Sequence, residues 1–255
     1  MKTAICIAAA VALMGTPALA ADIVTRAPPP APAPVPYAGY NWNGFYVGGE
    51  IGGGWGSSTS TVVTNFGTAF PPGTRETSID YHGFLGGFYG GYNYQFNQFV
   101  IGVDADGTWA SLTGSANQVS VINGDIATRN DTVNWVVTAT GRLGWAWWSN
   151  WLFYAKGGWA WAEFSGNSQT VTPGGVVTSA FTTQDTRQGW TAGGGIEWGV
   201  SEHVSFKVEY DYVKFDTENF SATGNLPTLR LFGVSVARSA TSNLNMVKGG
   251  IAYRF

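Results

Sequence analysis

From Asn43 to the carboxy terminus, apolar and polar residues alternate with a period of two, and eight segments each offer one face free of charge. The first such face reads Phe45, Val47, Gly49, Ile51, Gly53, Trp55, the second Phe84, Gly86, Phe88, Gly90, Tyr92, Tyr94, Phe96, and the third Phe99, Ile101, Val103, Ala105, Gly107, Trp109. The fourth is Val133, Trp135, Val137, Ala139, Gly141, Leu143, Trp145, Trp147, and the fifth Trp151, Phe153, Ala155, Gly157, Trp159, Trp161. Trp190 to Val200, Val204 to Tyr212 and Val247 to Phe255 supply the last three. The charges of these spans fall on the alternate positions: Glu50, Asp104, Asp106, Arg142, Lys156, Glu197, Lys207, Glu209, Asp211, Lys248 and Arg254. A soluble sheet turns its charges to water and its apolar face to a core. Here the apolar face is rich in glycine and bounded by aromatic rings, which suits a sheet whose apolar side meets lipid.

The rings are regularly spaced. Phe45 and Trp55, Phe84 and Tyr94, Phe99 and Trp109, Trp135 and Trp145, and Trp151 and Trp161 stand ten residues apart. At about 3.4 Å per residue and a tilt of about 40°, that step climbs about 26 Å, close to the apolar band of about 25 Å that two aromatic girdles flank in outer-membrane barrels. Connections alternate as well. Asn97-Gln98, Trp148-Ser149-Asn150 and Ser201-Glu202-His203 are tight turns, whereas 56–83, 110–132, 162–189 and 213–245 are long and rich in Ser, Thr, Asn and Gly. Short periplasmic turns and long outer loops predict an all-β fold, an eight-stranded antiparallel up-and-down transmembrane β-barrel with both ends on the periplasmic side.

Composition adds three points. Only 11% of the residues are charged, beside 44% hydrophobic and 15% aromatic, well below the roughly 25% charge of ordinary soluble domains. Residues 1–20 carry Lys2, an apolar run and Ala18-x-Ala20, the layout of a cleaved secretory signal, and they contain Cys6, the one cysteine. The exported chain is then left without a disulfide or a cysteine metal site, and its 12 basic residues against 16 acidic ones argue against a nucleic-acid partner. Residues 21–42 are proline-rich and read as a periplasmic linker, leaving 43–255 for the barrel.

The chain closes on "GGIAYRF", with Ile251, Tyr253 and Phe255 on one face, and the first strand opens on "NWNGFYVGGEIGGGWG" after the proline-rich stretch. In both features it resembles the small porin-like outer-membrane proteins of alphaproteobacteria, which have an OmpA-like eight-stranded barrel. The resemblance covers Trp42 to Phe255. It implies a surface-exposed envelope protein in the outer membrane of a Gram-negative bacterium, whose terminal residues are read by the barrel-assembly machinery. It also implies a contribution to envelope integrity, in some relatives weak porin activity, and in others haem binding or host contact through the loops.

Candidate chemistry is sparse. Eight strands enclose a space just wide enough for side chains, so the six acidic and five basic inward residues can pair and plug it; the alternative is a narrow path for small solutes along those charges. His82 is a candidate haem or metal ligand beside Tyr81 or Tyr89, against a plain interfacial role. His203-x-Ser205 has the residue types of a nucleophile and its base but lacks an acid partner at a matching position, and the chain is expected to have no catalytic site and no resident cofactor. Arg75, Arg129, Arg187 and Arg230, in or near the long loops, are candidate partners for lipopolysaccharide phosphates. Loop residues such as Phe66, Phe70, Phe181 and Phe220 offer a surface for an unknown ligand or for packing on the rim.

Overall fold

In a computed structural model, residues 39–63, 78–119, 124–226 and 231–255 are described; residues 1–20, read as a signal, and residues 21–38 of the stretch read as linker lie outside these. Among the described residues, nine strand elements follow in chain order: β1 (Gly44–Val62), β2 (Ile79–Phe96), β3 (Phe99–Val119), β4 (Ile126–Trp147), β5 (Trp151–Val171), β6 (Val177–Ser201), β7 (Val204–Phe215), β8 (Glu218–Leu226) and β9 (Leu231–Arg254). Each pairs antiparallel with its neighbours, and β9 returns to pair with β1, so among the described residues the sheet closes on itself into a ring. β7 and β8 both lie between β6 and β9 and form the lower and upper halves of one stave, broken at Asp216-Thr217. The ring therefore has eight staves, and closure pairs the backbone groups that lipid cannot satisfy.

The tight turns are local consequences of sequence. Phe96 pairs with Phe99 across Asn97-Gln98, and Asn97 takes a φ of 55°, a conformation asparagine tolerates. Trp148 takes a φ of 39° in the turn between β4 and β5.

The strands run well past the spans that periodicity marks. Much of 110–132 and 162–189, read as outer loop, is paired strand: Leu112 to Val119 bond with Val133 to Ile126, and Ala162 to Val171 with Arg187 to Val177. Ser, Thr, Asn and Gln in these stretches leave neither face apolar, so the signal fades where the strand leaves the lipid, while hydrogen bonding between staves continues. Val133 is a second departure. Periodicity turns it outward, but the register slips between Trp109 and Leu112 on one side and between Val133 and Trp135 on the other, and Val133 is 1% exposed inside the barrel. A bulge at Asn134 changes the phase of the strand, which a strict period of two cannot follow.

Candidate functional site

The interior is built in layers. At the end that carries the tight turns, Trp42 is fully buried with Val100, Ala146, Leu152 and Tyr154, and Tyr40 packs against this group. The Trp42 amide donates to Gln95 Oε1 at 2.9 Å, and Arg254 donates to the Trp42 carbonyl at 2.7 Å. Residues at the end of the stretch read as linker thus form the floor of the barrel.

Above the floor, Glu197 accepts from Arg142 at 2.8 Å, from Arg254 at 3.3 Å and from the Ser205 hydroxyl at 2.6 Å. The guanidinium of Arg142 lies 4.1 Å from the centre of the Tyr154 ring. Tyr46 joins this layer to the next, accepting from Arg142 and donating to Asp104 Oδ2 at 2.6 Å. There Lys156 reaches Glu209 at 2.8 Å, Asp106 at 3.2 Å, Asp211 at 3.4 Å and Asp104 at 3.8 Å. Lys248 reaches Asp211 at 2.9 Å, Glu50 at 3.0 Å, and Asp106 and Glu209 at 3.2 Å. Lys207 bonds Glu50 at 2.9 Å and stands 3.5 Å from the centre of the Tyr89 ring. None of the eleven inward charges is more than 5% exposed. Carboxylate oxygens of Asp106, Glu209 and Asp211 lie within 4.8 Å of one another, a spacing that suits a cation, but the ammonium groups of Lys156 and Lys248 already occupy those oxygens.

Among the described residues, the next layer has no charge. Tyr81, Leu85, Leu112, Val133, Val136, Phe164, Val213, Phe215, Leu244 and Met246 are buried together with Ala160 and Ala162. An ideal Cβ on inward Gly54 of β1 would lie 3.3 Å from both Leu112 methyl carbons, so Leu112 on β3 reaches past β2 to the inner surface of β1. Outermost, Arg129 binds Asp131 and donates to Ser60, while Arg187 binds Asp185 and donates to Ser242, which in turn donates to Ser58.

This placement corrects the reading of Arg129 and Arg187 as outward phosphate ligands: both sit on strands and turn into the lumen beside their own aspartates. Arg75 and Arg230 lie outside the described residues, as do Phe66 and Phe70. His82 faces outward, whereas Tyr81 and Tyr89 face in, so the proposed ligand group is divided by the sheet. His203 stacks on Tyr253 with ring centres 5.5 Å apart, outside the barrel, while Ser205 is buried inside with Glu197, so that pair is divided too.

Sequence reasoning missed a repeated contact. Tyr46 lies against Gly91, Tyr81 against Gly56, Tyr89 against Gly48 and Tyr154 against Gly195, each ring resting where a Cβ would stand within 3 Å of it. Inward tyrosines on one stave opposite inward glycines on the next were the available signal.

On the outer face, Phe45, Tyr94, Phe99, Trp145 and Trp151 are exposed at the tight-turn end, and Trp55, Phe84 and Trp109 at the other, where Trp135 and Trp161 are half-buried. Trp151 stacks on Trp198 at 5.7 Å, and Trp147 touches Trp145, Trp148 and Phe153. Ile251, Tyr253 and Phe255 continue this face to the chain end.

The chain is similar to known proteins along its whole length. It is 28% identical over 258 residues to the 31 kDa outer-membrane immunogenic protein of Brucella melitensis, with 100% of both chains covered. It is 25% identical to the 25 kDa outer-membrane immunogenic protein of Brucella abortus, covering 100% of this chain and 99% of that one. Against the 22 kDa outer membrane protein of Rhizobium leguminosarum bv. viciae it is 29% identical, covering 74% and 71%. Among solved structures, OprG of Pseudomonas aeruginosa superposes with a TM-score of 0.51 at 14% identity, covering 86% of this chain and 98% of that one. The outer membrane protease OmpT of Escherichia coli gives 0.52 at 9%, covering 85% and 98%, a likeness of fold alone. The model of the outer membrane protein beta-barrel domain matches residues 6–255, and the chain belongs to that family of Gram-negative outer-membrane proteins.

Proposed function

We propose that the barrel is sealed, contributing to the integrity of the outer membrane and holding its outer strands and connections at the cell surface, rather than conducting solutes. The observation that carries this reading is the uncharged layer around Leu112, Phe215 and Leu244, which interrupts any polar file between the ion-paired layer and the outer arginines. The paired charges support it. Each ammonium group meets several carboxylates, so moving an ion through would break contacts that low-dielectric surroundings make costly to lose. Outer-membrane lipids are the first partners, held between the two aromatic girdles, and the face ending in Ile251, Tyr253 and Phe255 suits recognition by the barrel-assembly machinery.

Conductance of the refolded chain in planar bilayers tests the reading. A quiet baseline is expected, and large, stable single-channel steps would overturn it in favour of a narrow porin.

A further inference from the structure

Beyond the girdle, β3, β4, β5 and β6 rise together into the outer medium with an outward face of an unusual kind. Cross-strand register puts Trp109, Trp135, Glu163 and Thr186 side by side at its base. Glu163 accepts from the Trp135 indole at 3.2 Å and from the Asn134 amide at 2.9 Å. In the next row stand Thr113, Thr132, Ser165 and Gln184, and above them Ser115, Asn130, Asn167 and Thr182. A third row, Asn117, Thr128, Gln169 and Ala180, completes the face. These three rows hold no charge, although exposed protein surface is commonly about 25–35% Lys, Arg, Glu and Asp. Apart from Glu163 in the base row, the charges of the same strands, Arg129, Asp131, Asp185 and Arg187, are bound in pairs on the opposite face.

We infer that this face binds the neutral saccharide portion of lipopolysaccharide in the surrounding outer leaflet. Hydroxyls and amides offer both donors and acceptors to sugar hydroxyls, and uncharged groups lose less than ions when water is displaced. Their columns repeat about every 4.8 Å and their rows about every 7 Å, a regular lattice, convex around the ring, along whose strands a chain of rings can lie. Exposed Trp109 and half-buried Trp135 supply aromatic ground at its foot, the pairing of rigid rings with adaptable polar side chains that recognition surfaces use. Position selects the source. Four to eight residues above Trp109, the rows stand about 10–20 Å beyond the girdle for strands tilted by about 40°, above the lipid phosphates and level with the sugars attached to them. The inference deepens the envelope reading and takes from it only the depth of insertion.

The test uses the whole chain refolded in detergent and the core oligosaccharide that mild acid releases from rough lipopolysaccharide, followed by tryptophan fluorescence. Saturable binding with a Kd of about 0.1–1 mM is expected. Asn130→Asp with Asn167→Asp, which keeps shape and adds charge, should weaken it at least tenfold, whereas Asn219→Asp on β8 should leave it unchanged. Heat-modifiable gel mobility establishes that each variant is folded. Absence of binding at 10-fold the upper concentration, equal loss in the Asn219→Asp control, or binding to lipid A but not to the oligosaccharide would each overturn the inference. So would equally tight binding of dextran, which would make the face a general hexose surface. A barrel silent in bilayers that also ignores the oligosaccharide would sink this inference and leave the sealed-barrel reading standing.

Discussion

Lys248 touches four carboxylates, more than any single arginine in the lumen reaches. Its layer holds five carboxylates, from Glu50, Asp104, Asp106, Glu209 and Asp211, against three ammonium groups, so removing a cation leaves like charges facing each other in a buried site. Lys248→Met is expected to cost about 3–5 kcal/mol, read as a lower urea midpoint in lipid vesicles. Asp211→Asn removes a charge from the side in excess and should cost distinctly less; equal losses would mean that packing, not charge balance, dominates. Glycines divide in the same way. A Cβ on Gly48 would stand 2.4 Å from the Ile251 carbonyl oxygen and 2.6 Å from the Tyr89 ring, so Gly48→Ala must displace a ring and a backbone and should destabilise by about 1–3 kcal/mol. Gly141 faces outward with nothing within 4 Å of the same position, and Gly141→Ala should be neutral or stabilising by up to about 1 kcal/mol in the same measurement.

At the scale of the strand, depth decides cost. Ala139 lies on the outer face of β4 between Trp135 and Trp145, opposite Ala105 on β3 and Trp159 on β5. Ala139→Arg should cost about 2–4 kcal/mol, and Trp145→Arg, nearer the tight turns, about 0–1 kcal/mol, the gradient expected across a bilayer. Unfolding from vesicles of one composition measures both, and equal costs would mean that this face does not cross lipid. Trp151→Asp with Trp161→Asp places charge at both ends of β5 and should lower the fraction that inserts in a vesicle-folding assay. The membrane-crossing part of each strand was legible because lipid on one side and a charged lumen on the other impose opposite demands on alternate residues. That contrast ends at Trp109 and Trp161, and with it the sequence signal, although hydrogen bonding carries β3 to Val119 and β5 to Val171. The bulge at Asn134 was hidden for a related reason: Val133 and Trp135 are both apolar, and only contact with Leu112 and Phe164 decides that Val133 turns inward.

For the whole molecule, the question is which layer seals the lumen. The charges were visible in the sequence because they stand out on a nearly uncharged chain, whereas Leu112, Val213, Phe215, Leu244 and Met246 look like ordinary strand residues until the ring closes and gathers them at one height. Trp42 was harder still, since its role as floor depends on Gln95 and Arg254, far away in sequence. The ion-paired layer is polar throughout and could admit water if its side chains rearranged, but the layer above it offers water little beyond the Tyr81 hydroxyl, already bound to the Asn243 carbonyl, and stays dry while it stays packed. Leu112→Gly, Phe215→Ala and Leu244→Gly together remove three of its larger side chains. They should turn a silent barrel into one with resolvable single-channel steps, provided that heat-modifiable mobility shows the variant folded. Trp42→Gly opens only the floor and should remain silent. A folded triple variant without steps would assign the seal to the ion pairs instead, and steps from Trp42→Gly alone would assign it to the floor.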